Sequence, residues 1–198
     1  VANEEVMECH LADKDAVFKL VKGCDGILHL GGISIEDSWT PIKDGNIDGI
    51  VNLYEAARLS GHPRIIFAST NHTVGFYRQS ERIDSKVYPQ PDSLYGASKV
   101  FGEAIANVYH SKFGIETAIV RIGSCFPEPQ THRQLSLWLS YRDFVSLIEC
   151  VFRAPRLGCP IIYGVSNNDS TWWDNRHVSY LGWVPKDNAE TFRAHLDA

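Results

Sequence analysis

The sequence predicts an α/β fold in which helices cover both faces of a parallel sheet. Short apolar segments of strand type alternate with amphipathic segments of helical period, which is the pattern of a parallel sheet joined by helical crossovers. Glycine and small polar residues directly follow three of the apolar segments. One helical segment, residues 91–114, is longer than the others and carries a chemically distinctive pair of side chains.

The N-terminal part of the chain predicts two strands and two helices. Residues 5–11 are read as a short strand, and a helix follows at 15–22, where Gly23 ends it. Residues 26–30 have the composition of a buried strand, and apolar residues at helical spacing predict a helix over 47–59. These elements give the first strand–helix alternation of the fold.

The rest of the chain continues the alternation. Short apolar runs predict strands at 64–68, 116–122 and 159–163, and a helix is expected over 144–152. The segment 187–190, Asp-Asn-Ala-Glu, has the spacing of a capping box and predicts a last short helix.

The segment 91–114 reads as a long amphipathic helix. Asp92 and Ser93 are residue types that begin helices, and Gly114 is suited to the helix end. Apolar residues recur at spacings of three and four and give one apolar stripe on this helix. The stripe consists of Ala97, Phe101, Ala104, Ile105 and Val108.

Tyr95 and Lys99 are one turn apart on this helix, so that their side chains rise from the same face. A nearby ammonium favours the phenolate, and we expect Lys99 to lower the pKa of Tyr95. A tyrosine tuned in this way transfers protons near neutral pH. The alternative is an exposed helix with an ordinary surface tyrosine and lysine.

Three polar clusters follow predicted strands. Gly31, Gly32 and Ser34 come after the strand at 26–30. The run 69–72, Ser-Thr-Asn-His, follows the next strand, and 123–125, Gly-Ser-Cys, follows the third. The carboxyl ends of parallel strands share one edge, so we expect these clusters to converge on Tyr95 and Lys99. For the two glycines alone, a tight turn is an equally good interpretation.

Composition excludes several functional classes. The formal net charge of −5 gives no basic surface for nucleic acid. Five cysteines without a CxxC pair favour free thiols in a reducing compartment, hence the cytoplasm. No 18-residue apolar run and no signal-peptide pattern is present, and no membrane association or metal site is predicted.

The tyrosine–lysine motif, Tyr95-Gly-Ala-Ser-Lys99, together with a hydroxyl at the end of the preceding strand, resembles the extended short-chain dehydrogenase/reductase superfamily. Six segments narrow the resemblance to bacterial uronate dehydrogenases, over nearly the whole chain. They are LGGIS (30–34), FASTNHTVG (67–75), RIGSC (121–125), DFVSLIECVFRAP (143–155), WWDN (172–175) and GWVPKDNAE (182–190).

This resemblance implies an NAD-dependent oxidation of a hexuronic acid, glucuronate or galacturonate, at C1 to the aldarolactone. Tyr95 matches the catalytic base, which takes the proton of the anomeric hydroxyl while hydride leaves C1 for the nicotinamide. Lys99 matches the residue that tunes the tyrosine and holds the nicotinamide ribose. Thr70 matches a catalytic serine that orients the substrate.

The resemblance also assigns binding residues. Ser34, Thr70, Asn71, His72 and Ser124 match positions that bind the sugar. Arg133 matches the arginine that grips the uronate carboxylate, where a guanidinium fork can form two parallel bonds. The positions matched to NAD are His10, Leu11, Leu30, Gly31, Gly32, Tyr95, Lys99 and Ile122.

Two departures from the family stand out. The glycine-rich GxxGxxG turn and the acidic residue that holds the adenine ribose are missing from residues 1–198. We therefore expect residues 1–198 to form a single truncated Rossmann-like domain, without the N-terminal β-α-β portion and with short C-terminal substrate-binding extensions. A polypeptide of these residues alone is expected to bind NAD weakly or not at all, and to aggregate through its unpaired strands. His10 stands where the family has an aspartate on the adenine.

Two alternatives remain. One is a sugar epimerase or dehydratase of the same superfamily, although Asn71 and His72 stand where dehydratases have an acidic pair. The other is a non-catalytic remnant that keeps the substrate pocket. In either case the expected partner is a small molecule, with neither nucleic acid nor membrane, and a homo-oligomer is left open.

Overall fold

The computed structural model describes residues 4–197, which build an α/β fold around one parallel sheet. Its four strands are β1 (Gly26–His29), β2 (Arg64–Thr70), β3 (Thr117–Ile122) and β4 (Ile161–Gly164). They lie side by side in the order β1-β2-β3-β4, and each neighbouring pair is parallel. The predicted fold class is confirmed, and the carboxyl ends of all four strands meet at one edge.

Helices join the strands as the alternation predicts. They are α1 (Lys14–Val21), α2 (Trp39–Ile42), α3 (Gly49–Leu59), α4 (Leu94–Phe113), α5 (Gln134–Leu137), α6 (Tyr141–Arg153) and α7 (Arg193–Leu196). A π-helical turn, Lys43–Asp48, connects α2 to α3, and 3-10 turns occupy Asn71–Val74, Arg176–Leu181 and Ala189–Phe192. Within residues 4–197 no helix is both long and apolar enough to cross a bilayer.

Both faces of the sheet are covered, because successive side chains of a strand point to opposite sides. On β2, Ile65 and Phe67 pack into a core shared with α1, α3 and α4. Ile66, between them, packs into a second core with Leu147 of α6 and Leu181. All three isoleucine and phenylalanine side chains of β2 are buried, as expected for a strand with helices on both sides.

The strand predicted at residues 5–11 is wrong. Within this segment residues 5–10 form no regular structure and are mostly exposed, and Leu11 begins a turn. A strand is stable only beside another strand that completes its hydrogen bonds, and none of the strands in residues 4–197 lies against this segment. The strand pattern of the sequence therefore has no partner here.

The ends of α4 were predicted correctly, but only Phe101 and Ile105 of the predicted apolar stripe pack against the core. The Ser93 hydroxyl accepts a hydrogen bond from Gly96 N at 2.9 Å, and Gly114 ends the helix with a φ of 74°. Three of the five stripe residues are exposed: Ala97, Ala104 and Val108. The buried face of α4 instead consists of Tyr95, Gly96, Ser98, Lys99, Gly102, Glu103 and Ala106.

Two inward-facing residues explain why the buried face of α4 differs from its apolar stripe. Gly102 lies against the ring of Phe67, where a Cβ atom would come within 2.4 Å of the ring. Glu103 is buried because it pairs with Arg121 of β3. A partnered charge and a missing side chain thus occupy positions that an apolar pattern would assign to leucine or valine.

The last predicted helix begins at a different cap. The Asn188 side chain accepts from Glu190 N at 3.0 Å and starts the 3-10 turn that leads into α7. Asp187 accepts instead from the Ser140 hydroxyl at 2.5 Å. The element was predicted correctly, whereas its capping residue lies one position later.

Candidate active site

A cleft of about 640 Å³ opens at the carboxyl ends of β1, β2 and β3. The three polar clusters that follow these strands all reach it, together with the N-terminal turns of α4. The predicted site residues in its lining are Leu30, Gly31, Gly32, Ser34, Thr70, Asn71, His72, Tyr95, Lys99, Ile122, Ser124 and Arg133. The structure thus brings together every predicted site residue except two.

His10 and Leu11 do not line the cleft. The His10 ring accepts a hydrogen bond from Ala12 N at 3.3 Å, within its own turn. Leu11 packs beneath the glycine loop, and its Cδ1 lies 3.1 Å from the position that a Cβ on Gly31 would take. Leu11 is therefore a neighbour of the cleft wall, while His10 is separate from it.

Tyr95 and Lys99 are both buried on the inner face of α4, with 7% and 5% of their surface exposed. The Lys99 Nζ atom lies 5.9 Å from the centre of the Tyr95 ring and 5.2 Å from that of Phe67. It forms no hydrogen bond with any residue that the structure describes. An ammonium this deeply buried, with aromatic rings beside it but no hydrogen-bond acceptor among the residues described, is a donor available to a ligand.

Burial changes the acid–base balance of this pair from the one predicted. Loss of water lowers the pKa of Lys99 to about 8. Burial raises the pKa of Tyr95, and a hydrogen bond with Thr70 opposes that rise. The expectation that Lys99 lowers the pKa of Tyr95 is therefore not met, because desolvation disfavours both the phenolate and the ammonium.

The end of β2 supplies a tight set of hydrogen bonds. The Thr70 hydroxyl donates to Asn71 Oδ1 at 3.2 Å and accepts from His72 N at 3.3 Å. Thr70 and Asn71 are both buried, and Thr70 caps the 3-10 turn that follows. The hydroxyl is thereby fixed beside Tyr95 at the rim of the sheet.

His72 is held by a residue that the sequence indicated only as a helix cap. His72 Nδ1 lies 2.8 Å from Asp92 Oδ1 and 3.1 Å from Oδ2. The imidazole meets the Tyr95 ring edge-on, with 5.6 Å between ring centres. Nothing in the local sequence shows this pairing, since a loop of nearly twenty residues separates the two side chains.

Two further residues position the cleft walls and were not predicted. Glu36 accepts hydrogen bonds from Leu94 N at 3.2 Å and Tyr95 N at 3.0 Å, so that it caps α4 from a distant loop. Asn46 accepts from Ile33 N at 2.8 Å and donates to Ile33 O at 3.0 Å. The same amide donates to the Ser98 hydroxyl at 2.9 Å and so joins this loop to α4.

Gly32 is required by this loop. Its φ of +109° is accessible to glycine, and a Cβ atom there would lie 2.3 Å from Asn46 Oδ1. The prediction of a close main-chain approach at Gly31 and Gly32 and the alternative of a tight turn are thus both consistent with the structure.

Arg133 lies at the opposite wall, directly before α5. The residue is exposed, and its guanidinium forms no hydrogen bond or ion pair with the residues described. Other cleft residues that sequence reasoning missed are apolar or aromatic: Ala68, Phe126, Tyr141 and Phe144. The cleft also contains Ser69, Gly123 and Cys125, which belong to the predicted polar clusters. Among residues 4–197 no cluster of metal-binding side chains occurs.

Comparison with known proteins identifies the family. Residues 1–151 match the model of the NAD dependent epimerase/dehydratase family, to which the chain belongs. It is 61% identical over 192 residues to uronate dehydrogenase of Agrobacterium fabrum, a match that covers 97% of this chain and 72% of the relative.

Solved structures agree with this assignment. A mutant uronate dehydrogenase from Agrobacterium tumefaciens, complexed with NAD, is 60% identical to this chain with a TM-score of 0.98. The match covers 98% of this chain and 74% of that one. Glucuronic acid dehydrogenase from Chromohalobacter salexigens is 53% identical with a TM-score of 0.98, covering all of this chain and 74% of that one.

Proposed function

We propose that this protein oxidises a hexuronic acid, glucuronate or galacturonate, at C1 to the aldarolactone with NAD as the hydride acceptor. The observation that carries the proposal is one cleft that contains both a buried tyrosine–lysine pair and an arginine without a protein partner. The first is suited to moving a proton, and the second to binding a carboxylate. The relatives named above support the substrate class and the cofactor.

The cofactor side of the cleft is suited to the nicotinamide half of NAD. The free ammonium of Lys99 can donate to ribose hydroxyls, and Leu30 is half-exposed beside a loop of two glycines that lets a ligand approach the main chain. We assign Leu30, Gly31, Gly32, Tyr95, Lys99 and Ile122 to this side. When bound, NAD supplies the oxidising chemistry by accepting a hydride.

Tyr95 takes the proton of the anomeric hydroxyl in this proposal. The hydrogen bond with Thr70 opposes the effect of burial on the pKa of Tyr95. It favours the phenolate when the Thr70 hydroxyl turns its one proton from Asn71 Oδ1 to the phenolic oxygen. Glu36 fixes the main chain of Tyr95 at the start of α4. In this proposal Thr70 holds the side chain of Tyr95 and Glu36 holds its main chain, and together they fix the phenol for catalysis.

Substrate recognition divides between charge and hydroxyl contacts. Arg133 binds the carboxylate through its planar guanidinium, which has five donors and no acceptor. Hydroxyls, amide and imidazole along the strand exits bind the sugar ring: Ser34, Thr70, Asn71, His72 and Ser124. A uronic acid presents both kinds of group, whereas a neutral aldose lacks the anion.

We further propose that residues 1–198 act as one domain in the cytoplasm. Support comes from the single sheet around which residues 4–197 fold and from the free thiols of all five cysteines. A homo-oligomer remains a prediction.

The test uses an extended chain, in which residues 1–198 replace the matched 72% of the Agrobacterium fabrum uronate dehydrogenase. NADH formation is followed by absorbance with glucuronate, galacturonate, glucose and galactose as substrates. We expect turnover with the two acids and much slower turnover with the neutral sugars. Equal rates with acids and neutral sugars, or no turnover with either acid despite bound NAD, would contradict the proposal.

A further inference from the structure

His72 and Asp92 form a side-chain pair next to Tyr95 that the proposed function leaves unexplained. Both carboxylate oxygens of Asp92 face His72 Nδ1, at 2.8 and 3.1 Å. The main chains are joined as well, because Asp92 N donates to His72 O at 3.3 Å. An ionised carboxylate only accepts hydrogen bonds, so the proton of the pair belongs on Nδ1.

Two glycines make room for this pair. A Cβ atom on Gly75 would lie 2.0 Å from Asp92 Oδ2, and one on Gly96 would lie 2.5 Å from His72 O. Contacts this short exclude any side chain at either position without a shift of the pair. The backbone on both sides is therefore shaped around the contact between Asp92 and His72.

The other ring nitrogen, Nε2, is left for a ligand. His72 lines the cleft, and 39% of its side chain is exposed. Nε2 has no partner among the residues described. In a neutral imidazole with its proton on Nδ1, Nε2 carries a lone pair and accepts a hydrogen bond. A ligand group that meets it must therefore be a donor.

We infer that Asp92 is a positioning residue that fixes His72 in the Nδ1-protonated tautomer, so that Nε2 accepts a hydrogen bond from a substrate hydroxyl. The inference rests on the proposed function, because it concerns how the hexuronic acid is held. It adds a selection rule for the substrate: the sugar group that meets His72 Nε2 must be a hydroxyl. An oxygen without a proton is rejected, because it cannot donate a hydrogen bond to Nε2.

The tautomer is measured directly on the 198-residue chain by two-bond proton–nitrogen correlation spectra of the imidazoles. At about pH 9 imidazole is neutral, and the His72 signals are identified by their loss in His72→Gln. We expect the Nδ1-protonated pattern in the wild type and its loss in Asp92→Ala. Asp92→Asn should largely keep it, because the amide oxygen still accepts from Nδ1.

Ser93→Ala is the matched control for damage to the start of α4. It removes the helix cap and the hydroxyl that donates to Asp92 Oδ1 at 3.1 Å, but leaves the contact with His72 in place. The tautomer should therefore be unchanged in Ser93→Ala. An Nε2-protonated or doubly protonated His72 in the wild type would overturn the inference, as would the same spectrum in Asp92→Ala.

A second measurement tests the selection rule with the extended chain. Deoxyfluoro hexuronates replace one ring hydroxyl at a time by fluorine, which cannot donate a hydrogen bond. We expect one ring position at which this change raises KM by about 2- to 10-fold in the wild type, and a much smaller increase at that position in Asp92→Ala.

Fluorine penalties that are equal in the two proteins at every position would contradict the rule. Failure of the proposed function looks different, since it gives no uronate turnover in the wild type while the tautomer spectrum remains measurable.

Discussion

Arg121 of β3 and Glu103 of α4 form a buried bidentate ion pair. Arg121 Nε and Nη2 donate to the two carboxylate oxygens of Glu103 at 2.9 and 2.8 Å, and the two side chains are 1% and 6% exposed. The Ser69 hydroxyl donates to the same carboxylate at 2.6 Å. The pair therefore ties the helix that carries Lys99 to β2 and β3, two of the three strands whose ends form the cleft.

Breaking this pair should strongly destabilise the fold. Glu103→Ala leaves the Arg121 guanidinium buried without its counter-charge, a change that costs about 3–5 kcal/mol in comparable pairs. The free energy of unfolding from urea titration measures the loss. The matched control is Glu149→Ala, which removes an exposed pair with Arg153 and should cost about 0.5 kcal/mol or less. Equal losses in the two variants would contradict this role.

Lys99 should make stability depend on pH in the alkaline range. Its pKa is about 8 in the folded chain, against 10.5 for an ordinary lysine. Between these values the unfolded chain holds more protons, so the stability of the wild type rises with pH. We expect the stability difference between wild type and Lys99→Met to shift by about 2 kcal/mol in favour of the wild type from about pH 7 to about pH 10.

Comparison with Lys99→Met is necessary because other groups titrate in the same range. Burial raises the pKa of Cys159 to about 12, and its ionisation opposes folding as the pH rises. That contribution is present in both proteins and cancels in the difference. A stability difference that stays constant between the two pH values would show that Lys99 is not desolvated.

Arg133 should discriminate acids from neutral sugars. Arg133→Ala removes hydrogen bonds to a charged group, which contribute about 1.5–3 kcal/mol, or roughly 10- to 150-fold in affinity. We expect KM for glucuronate to rise by this factor in the extended chain, while the slow oxidation of glucose changes little. Arg153→Ala is the control, since its exposed guanidinium lies outside the cleft. Equal losses for acid and neutral sugar would exclude a contact with the carboxylate.

The position of the site could be predicted from the sequence because it follows from topology. Once the strands were recognised as parallel, the polar residues after them had to meet at one edge, and Ser34, Thr70 and Ser124 do line one cleft. The ends of α4 were also local properties, since Ser93 and Gly114 act on their own turns. Short-range rules were sufficient for both results.

The interior of the site depends on contacts between distant segments and could not be predicted. Glu36 caps α4 from a loop far away in the sequence, and Asp92 reaches back to His72. Glu103 is on the buried face of α4 because Arg121 of a later strand neutralises it. A pattern of apolar residues cannot show that a buried charge has a partner, so the burial of Glu103 could not be predicted from the apolar stripe of α4.

Proton transfer by Tyr95 is the central claim, and the rate of NADH formation by Tyr95→Phe tests it most directly. The phenylalanine keeps the ring that packs beside His72 and Lys99 but removes the acid–base oxygen. In the extended chain with glucuronate, we expect kcat to fall by roughly 10²- to 10⁴-fold. Tyr88→Phe is the control, because Tyr88 is 81% exposed and lies outside the cleft, and it should keep the wild-type rate. A Tyr95→Phe protein that retains more than about half of the wild-type kcat would contradict the account.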